Sequence, residues 1–329
     1  MELLKKLTQV YSPSGNERKV REIIEQEVKS FADEMYTDNL GNLIVRKKGI
    51  GRKVMLCAHM DEIGVLVTYV EENGFLRFAA VGGIPPYCSL YQTVEFENGT
   101  KGIIGYEEKI DIKTELNLSK MYIDIGAKSA QEAEKLVSIG DSAVFCGQFF
   151  QNGKNVFSKA MDNRAGVYVL INVLKNIKNN VNDLYFVFSV QEELGLRGAR
   201  ACANALKPDI GLCVDVTDTG DTPNCNRMAV KLGGGACIKF MDSSVITHKK
   251  VNDELKASAN AVGAEVQHEV LSFGGTDAGA IHTSGSGVMT GAISIPTRYI
   301  HTPRECVNTD DLNGAIAIIT DFAQKKLDL

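Results

Sequence analysis

Tryptophan is absent from this chain, and only 7% of its 329 residues are aromatic. A carbohydrate cleft built on stacked indole platforms is therefore excluded. Basic blocks are also missing: 36 lysines and arginines against 41 acidic residues give a formal net charge of −5. Nucleic acid is not an expected partner, because its binding rests on clustered cations. No apolar run approaches the roughly 20 residues that cross a bilayer. The opening MELLKKLTQVYSPSGNE has neither an apolar core nor a small-residue cleavage site. Neither a membrane partner nor export is expected. Among eight cysteines no C-x-x-C pair occurs, which removes the zinc ribbon and the thioredoxin motif. The thiols are scattered through apolar segments, as reduced buried cysteines are, and the expected compartment is the cytoplasm.

What is present is an ordinary globular composition, 44% hydrophobic and 23% charged, and enough length for one large α/β domain interrupted by a second. Ser14 and Glu17 have the S-x-x-E spacing of a capping box. Val20, Ile23, Ile24, Val28 and Phe31 follow at near-helical spacing. NLIVRKK and KVMLCAHM read as strands. From about Leu66 to Ser158 the texture changes to short alternating runs, GFLRFAAV, QTVEFENGTKGIIGYE and SAVFCGQFF, separated by Gly, Asn and Pro. That pattern predicts antiparallel β-structure with tight turns, interrupted by a short helix at SAQEAEKLVS.

The α/β rhythm then returns. NRAGVYVLINVLKNIKNN, RGARACANAL and HKKVNDELKASANAV read as helices; DLYFVFSV, DIGLCVDV, EVQHEVL and GVMTGAISI read as strands. A last helix follows, capped by Thr309. Nearly continuous apolar strands between helices predict an α/β fold with a mixed, mostly parallel sheet covered on both faces. The domain division expected is 1–65 with 159–329, and an inserted β-rich domain at 66–158. Strands in such an insert have edges that must be covered or paired, which is a motive for self-association.

Open α/β sheets form their sites beyond the carboxyl ends of the strands. His59 and Asp61 stand there in KVMLCAHMDE, Glu192 and Glu193 in FVFSVQEE, and Asp215 in IGLCVDVTD. Asp162 precedes a helix in SKAMDNRAG, and His301 follows ISIPTRYI. Adjacent glutamates at the mouth of an apolar strand repel, and desolvating them is costly unless a cation or hydrogen bonds compensate. Taken singly, each residue has a plainer explanation: a core histidine, a helix cap, a turn, or solvent-facing glutamates. Their convergence at one end of the sheet favours a shared role. Two imidazoles with several carboxylates suit divalent transition metals. Five ligands with one shared carboxylate suit two ions about 3.5–4 Å apart, leaving one glutamate of the pair to handle the attacking water. His248, His268 and His282 lack such company.

The segments AHMDEIG (58–64), SKAMDNRAG (158–166), QEELGLRGA (191–199), VDVTDTGDTP (214–223), GGTDAG (274–279) and ISIPTRYIHTPRE (293–305) together resemble one family. It is the glutamyl and deblocking aminopeptidase family of dinuclear metallopeptidases, tetrahedral aminopeptidases of which some members are labelled endoglucanases. YIDIGAKS and VSIGDSAVF resemble its inserted domain, whereas IPPYCSLYQ is less typical. The resemblance covers essentially the whole chain. It implies a zinc-peptidase-like fold and a metal-dependent aminopeptidase that acts on peptides with a free amino terminus. His59 and Asp215 are implied to hold one ion, Glu193 and His301 a second, and Asp162 to bridge them, the ions being zinc or cobalt. Glu192 is implied as general base and acid, and Asp61 as the carboxylate that orients His59. A cis Asp162–Asn163 peptide and a dodecameric shell assembled through the insert are implied as well. GGTDAG and the neighbourhood of Arg298 are candidates for the pocket wall; acidic, aliphatic and basic amino-terminal preferences all remain open.

Three alternatives are weaker. A dinuclear deacylase or carboxypeptidase shares the metal logic, but in those relatives the second domain comes later; here it lies between His59 and Asp162. A cellulase would use two carboxylates without metal, leaving the histidines unexplained. A non-catalytic metal-binding protein would have no use for Glu192.

Overall fold

The computed structural model describes residues 1–327. The apolar runs do become strands of one large sheet. From one edge its order is Glu34–Thr37, Leu43–Lys47, Asp183–Ser189, Lys53–His59, Ile210–Thr217, Met289–Arg298, Glu305–Asn308, Asn155–Ser158 and Phe150–Asn152. Ala236–Met241 and Val266–Val270 branch from Met289–Arg298. The four central strands are parallel, and their register sets Ser189 beside His59 and Asp215 beside Ser294. Asp183–Ser189 and Ile210–Thr217 are buried along their whole lengths, because helices cover both faces. Glu2–Gln9, Arg18–Val28, Met161–Asn176, Lys249–Val262 and Thr309–Gln324 pack on one face, and Arg197–Leu206 with Asp277–His282 on the other. The expected α/β architecture is present, with parallel ladders at the centre, antiparallel pairs along the two ends of the sheet, and a parallel pair, Ala236–Met241 with Val266–Val270, on the branch.

Six antiparallel strands, Gly64–Val70, Leu76–Val81, Met121–Asp124, Lys101–Tyr106, Thr93–Phe96 and Ser142–Phe145, close into a barrel in that order. Val65, Phe78, Val94, Ile104, Ile123 and Phe145 are part of its own apolar core. The expectation of open strand edges fails here. Gly64–Val70 pairs with Ser142–Phe145, so the ladder returns on itself and leaves no edge to cover. The hairpin of Phe150–Asn152 and Asn155–Ser158 hydrogen-bonds into the large sheet through Glu305–Asn308. In SAQEAEKLVS only Ala130–Ala133 is α-helical, with Ser129 as its cap.

Two expected helix caps are also corrected. Ser14 and Glu17 form no capping box: the helix starts at Arg18, and both side chains bond elsewhere, as described below. The cap of Thr309–Gln324 is Asn308, whose side chain accepts from the Asp310 amide. No described helix is long and apolar enough to cross a membrane.

Candidate active site

The seven residues singled out in the sequence converge at the carboxyl ends of the parallel strands. His59 ends its strand, Asp215 lies near the end of the next, and Glu192 and Glu193 leave the end of Asp183–Ser189. Asp162 sits in the first turn of Met161–Asn176, whose Asp162–Asn163 peptide is cis. His301 occupies the loop between Met289–Arg298 and Glu305–Asn308. Asp162 is central. Its Oδ1 lies 3.0 Å from His59 Nε2, and its Oδ2 lies 3.3 Å from His301 Nε2. Asp215 Oδ1 approaches His59 Nε2 to 3.7 Å, Glu193 Oε2 approaches His301 Nε2 to 3.3 Å, and Glu192 Oε2 stands 3.9 Å from His59 Nε2.

Asp61 answers the puzzle of the paired glutamates. It is fully buried, and its two oxygens accept the backbone N–H groups of Glu192 at 3.0 Å and Glu193 at 3.3 Å. Its Oδ1 is also 3.3 Å from His59 Nδ1, a close charge contact outside good hydrogen-bond geometry. One carboxylate thus fixes both glutamates by their main chain and leaves their side chains free to face the centre.

The electrostatics point one way. Burial alone would keep His59 neutral, but Glu192, Asp162, Asp215 and Asp61 hold its pKa well above the usual imidazole value. Burial is likewise outweighed at His301, which Asp162 and Glu193 push up to about 12. Burial lifts Glu192 well above the carboxylate range, with Asp215, Asp277 and Glu193 adding to it and His59 opposing. Burial also lifts Asp215 and Glu193. Burial would raise Asp162 too, yet the two imidazoles hold it low. Carboxylates that resist ionising beside imidazoles that hold protons express one demand for positive charge at this point.

The donors fit divalent cations. His59, Asp162 and Asp215 form one group, and Asp162, Glu193 and His301 another, the ligand atoms within each lying within 4.8 Å of one another. Glu193 Oε1 is buried without a hydrogen-bond partner, a costly state that a cation would relieve.

Several residues at the site escaped the sequence reasoning. Glu305 is buried and accepts the Asp162 amide at 3.0 Å on one oxygen and the His301 amide at 2.9 Å on the other. Burial, then the Asp162 charge, raise its pKa to about 8. Ser14 donates to Asp61 at 2.5 Å, and Glu17 accepts the Gln191 amide at 3.2 Å, so the amino-terminal segment braces the glutamate turn. Asp277 is buried and accepts the Ser189 hydroxyl at 2.5 Å. The barrel reaches the site through Gly82 and Gly83. A Cβ at Gly82 would come within 3.0 Å of Glu193 Oε2, and one at Gly83 within 3.0 Å of His301 Nδ1. Of the expected pocket wall, Gly274, Gly275, Thr276 and Ile300 line the cavity. Arg298 does not, because its guanidinium is held by Asp221 at 2.7 and 2.9 Å.

A parallel-sheet α/β core that gathers imidazoles and carboxylates around a demand for cations is the frame of a metal-dependent hydrolase. The family model of the M42 glutamyl aminopeptidases matches residues 41–318. A protein of Acetivibrio thermocellus assigned to the aminopeptidases is 51% identical over 97% of both chains. An aminopeptidase from the archaeon Desulfurococcus kamchatkensis superposes with a TM-score of 0.94 at 37% identity, over 98% of this chain and 94% of its own. The TET1 peptidase of Pyrococcus horikoshii, which can assemble into a tetrahedron or a large octahedral shell, gives 0.88 at 35% identity, over 98% of this chain and 99% of its own. This chain belongs to the M42 glutamyl aminopeptidase family. It is a metal-dependent aminopeptidase that hydrolyses the amino-terminal peptide bond, and the deacylase and cellulase alternatives are not favoured.

Proposed function

We propose that hydrolysis uses water activated at two divalent cations, zinc or cobalt. In this reading His59 and Asp215 hold one ion, Glu193 and His301 the other, and Asp162 is shared. The observation that carries it is the split of Asp162, one oxygen toward each histidine. When bound, the ions supply Lewis acidity that acidifies water and polarises the scissile carbonyl. The chain's own groups do the rest. Glu192, its side chain only 11% exposed beside His59, takes the proton of the attacking water and returns it to the leaving amine. Asp61 orients His59 and fixes the glutamate turn. The assay is release of p-nitroaniline from aminoacyl-p-nitroanilides with and without added cobalt or zinc, beside a cellulose control. Cleavage of cellulose, or aminopeptidase activity indifferent to chelation, would overturn this mechanism.

Glu305 is assigned to positioning, since it ties the main chain at Asp162 to that at His301. Glu305→Gln is expected to weaken metal affinity by about 10–100-fold, the usual cost of losing a group that orients metal ligands. Competition with a chromophoric chelator would measure this. Unchanged affinity would return Glu305 to a merely structural part.

We further propose that the expected division, 1–65 with 159–329 around an insert at 66–158, holds with its edges shifted: the catalytic domain includes the Phe150–Asn152 and Asn155–Ser158 hairpin, and the barrel, Gly64 to Phe145, serves oligomerisation. With its strand ladder closed, side chains must carry the contacts. Tyr69, Tyr87, Tyr91, Ile103, Leu136 and Ile139 are exposed on this segment, and exposed apolar surface favours association. The TET1 relative adds the expectation of a dodecameric shell that admits peptides. Light scattering at low micromolar concentration should give a mass many times that of the 35.8 kDa chain. A monomer with metal present would refute self-association; a stable dimer would refute only the shell. The free cysteines fit a reducing, cytoplasmic setting.

A further inference from the structure

A cavity of about 730 Å³ opens from the cation centre. Beyond the centre itself it is lined by Val216, Asp218, Lys239, Leu271, Phe273 and Ile300, among others. Only two of these carry charge, and their situations differ. Lys239 is buried and ion-paired with Glu269, with Asp242 Oδ2 a further 3.6 Å contact. Glu269 is in turn hydrogen-bonded by the Thr217 hydroxyl at 2.9 Å. The lysine's charge is therefore answered within the protein. Asp218 is half-buried and has no hydrogen-bond or ion-pair partner among the described residues. Burial raises its pKa, opposed by the nearby His301 and helped by Asp162 and Glu269. A carboxylate in that position gains from any cation brought to it.

We propose that Asp218 selects substrates with a basic amino-terminal residue, lysine or arginine. An acidic side chain entering this cavity finds no unanswered cation outside the metal centre and meets the Asp218 charge. A basic one lays its methylene stem against the apolar lining and delivers its charged tip to Asp218. The neighbouring carboxylates of Glu269 and Asp242 together outweigh the single charge of Lys239, so the field beyond the centre is negative as well. This deepens the aminopeptidase reading and rests on it.

The test compares lysyl-, norleucyl- and glutamyl-p-nitroanilide on the metal-loaded enzyme. Norleucine has the lysine stem without its ammonium, so the lysyl to norleucyl ratio of kcat/KM isolates the charge contact. Wild type should favour lysyl by roughly 10–100-fold over norleucyl, with glutamyl slowest, since a buried charge contact discriminates strongly against a partner lacking it. In Asp218→Asn that ratio should fall to about one, and Asp218→Lys should move the preference toward glutamyl. If the variants do not fold, the wild-type series decides alone: norleucyl or glutamyl cleaved faster than lysyl overturns the proposal. An equal loss on all three substrates in Asp218→Asn overturns it too, assigning Asp218 to the α-ammonium or the centre. No cleavage of any substrate with either metal would instead sink the aminopeptidase reading, and this proposal with it.

Discussion

Glu192→Gln is expected to keep both ions and to lose about 10²–10⁴-fold in kcat, the usual cost of removing a general base. The upper end of that range is expected, because the same carboxylate acts at both proton transfers. Glutamine has nearly the shape of glutamate, so the backbone bond from residue 192 to Asp61 Oδ1 is retained. What disappears is a site that can hold a proton. Burial, Asp215, Asp277 and Glu193 favour the protonated carboxyl, whereas His59 favours the ionised one. Cations bound beside it would favour the ionised form, so that the carboxylate can accept a proton from water and release it to the amine; an amide can do neither. Metal analysis beside steady-state kinetics separates the cases. Wild-type turnover in the variant would remove Glu192 from the chemistry, and loss of an ion would make it a ligand instead.

Asp162→Asn should be as severe for a different reason. Both candidate ligand groups contain Asp162, so its loss should empty both rather than one. Activity should fall by about 10³-fold or more, because the acidification of water that bound cations would supply is forfeited. Chelated wild type should show the same deficit and recover on adding zinc or cobalt; Asp162→Asn should not recover. Asp215→Asn gives the contrast, since Asp215 belongs to one group only, and one ion per chain should remain. Full occupancy of either site in Asp162→Asn would end its assignment as the shared carboxylate.

The parts of this site that were legible in the sequence follow from one physical regularity. Parallel strands buried on both faces read as unbroken apolar runs, so the polar residues that end them stand out. His59, Asp215 and the glutamate pair were visible for that reason, and Asp162 by its place at a helix start. What was illegible depends on partners far along the chain. Ser14 and Glu17 satisfy a local capping rule, yet Asp61 and the Gln191 amide claim them instead. Glu305 matters because two amides lie beside it, one of them 143 residues away, and nothing in TPRE announces that. Closure of the barrel pairs Gly64 with Val144, a register that no neighbouring residues encode. Nothing in VDVTDTGDTP singles out Asp218; only the cavity around it shows that its neighbours leave it unanswered.

The dependence of Asp162 on Glu305 also sets when the enzyme can come into being. His59 is available early in synthesis, but His301 and Glu305 are among the last residues before the final helix, Thr309–Gln324. A ribosome that has made the first half of the chain has produced a strand carrying His59 and a barrel with its own core, but no catalytic centre. The ligand set and the strut beneath it are complete only once residue 305 has been made, so peptidase activity cannot arise from the first half of the chain alone. Contacts this distant in sequence also predict slow final docking. A pulse of refolding protein should therefore regain barrel structure before it regains the ability to cleave a peptide.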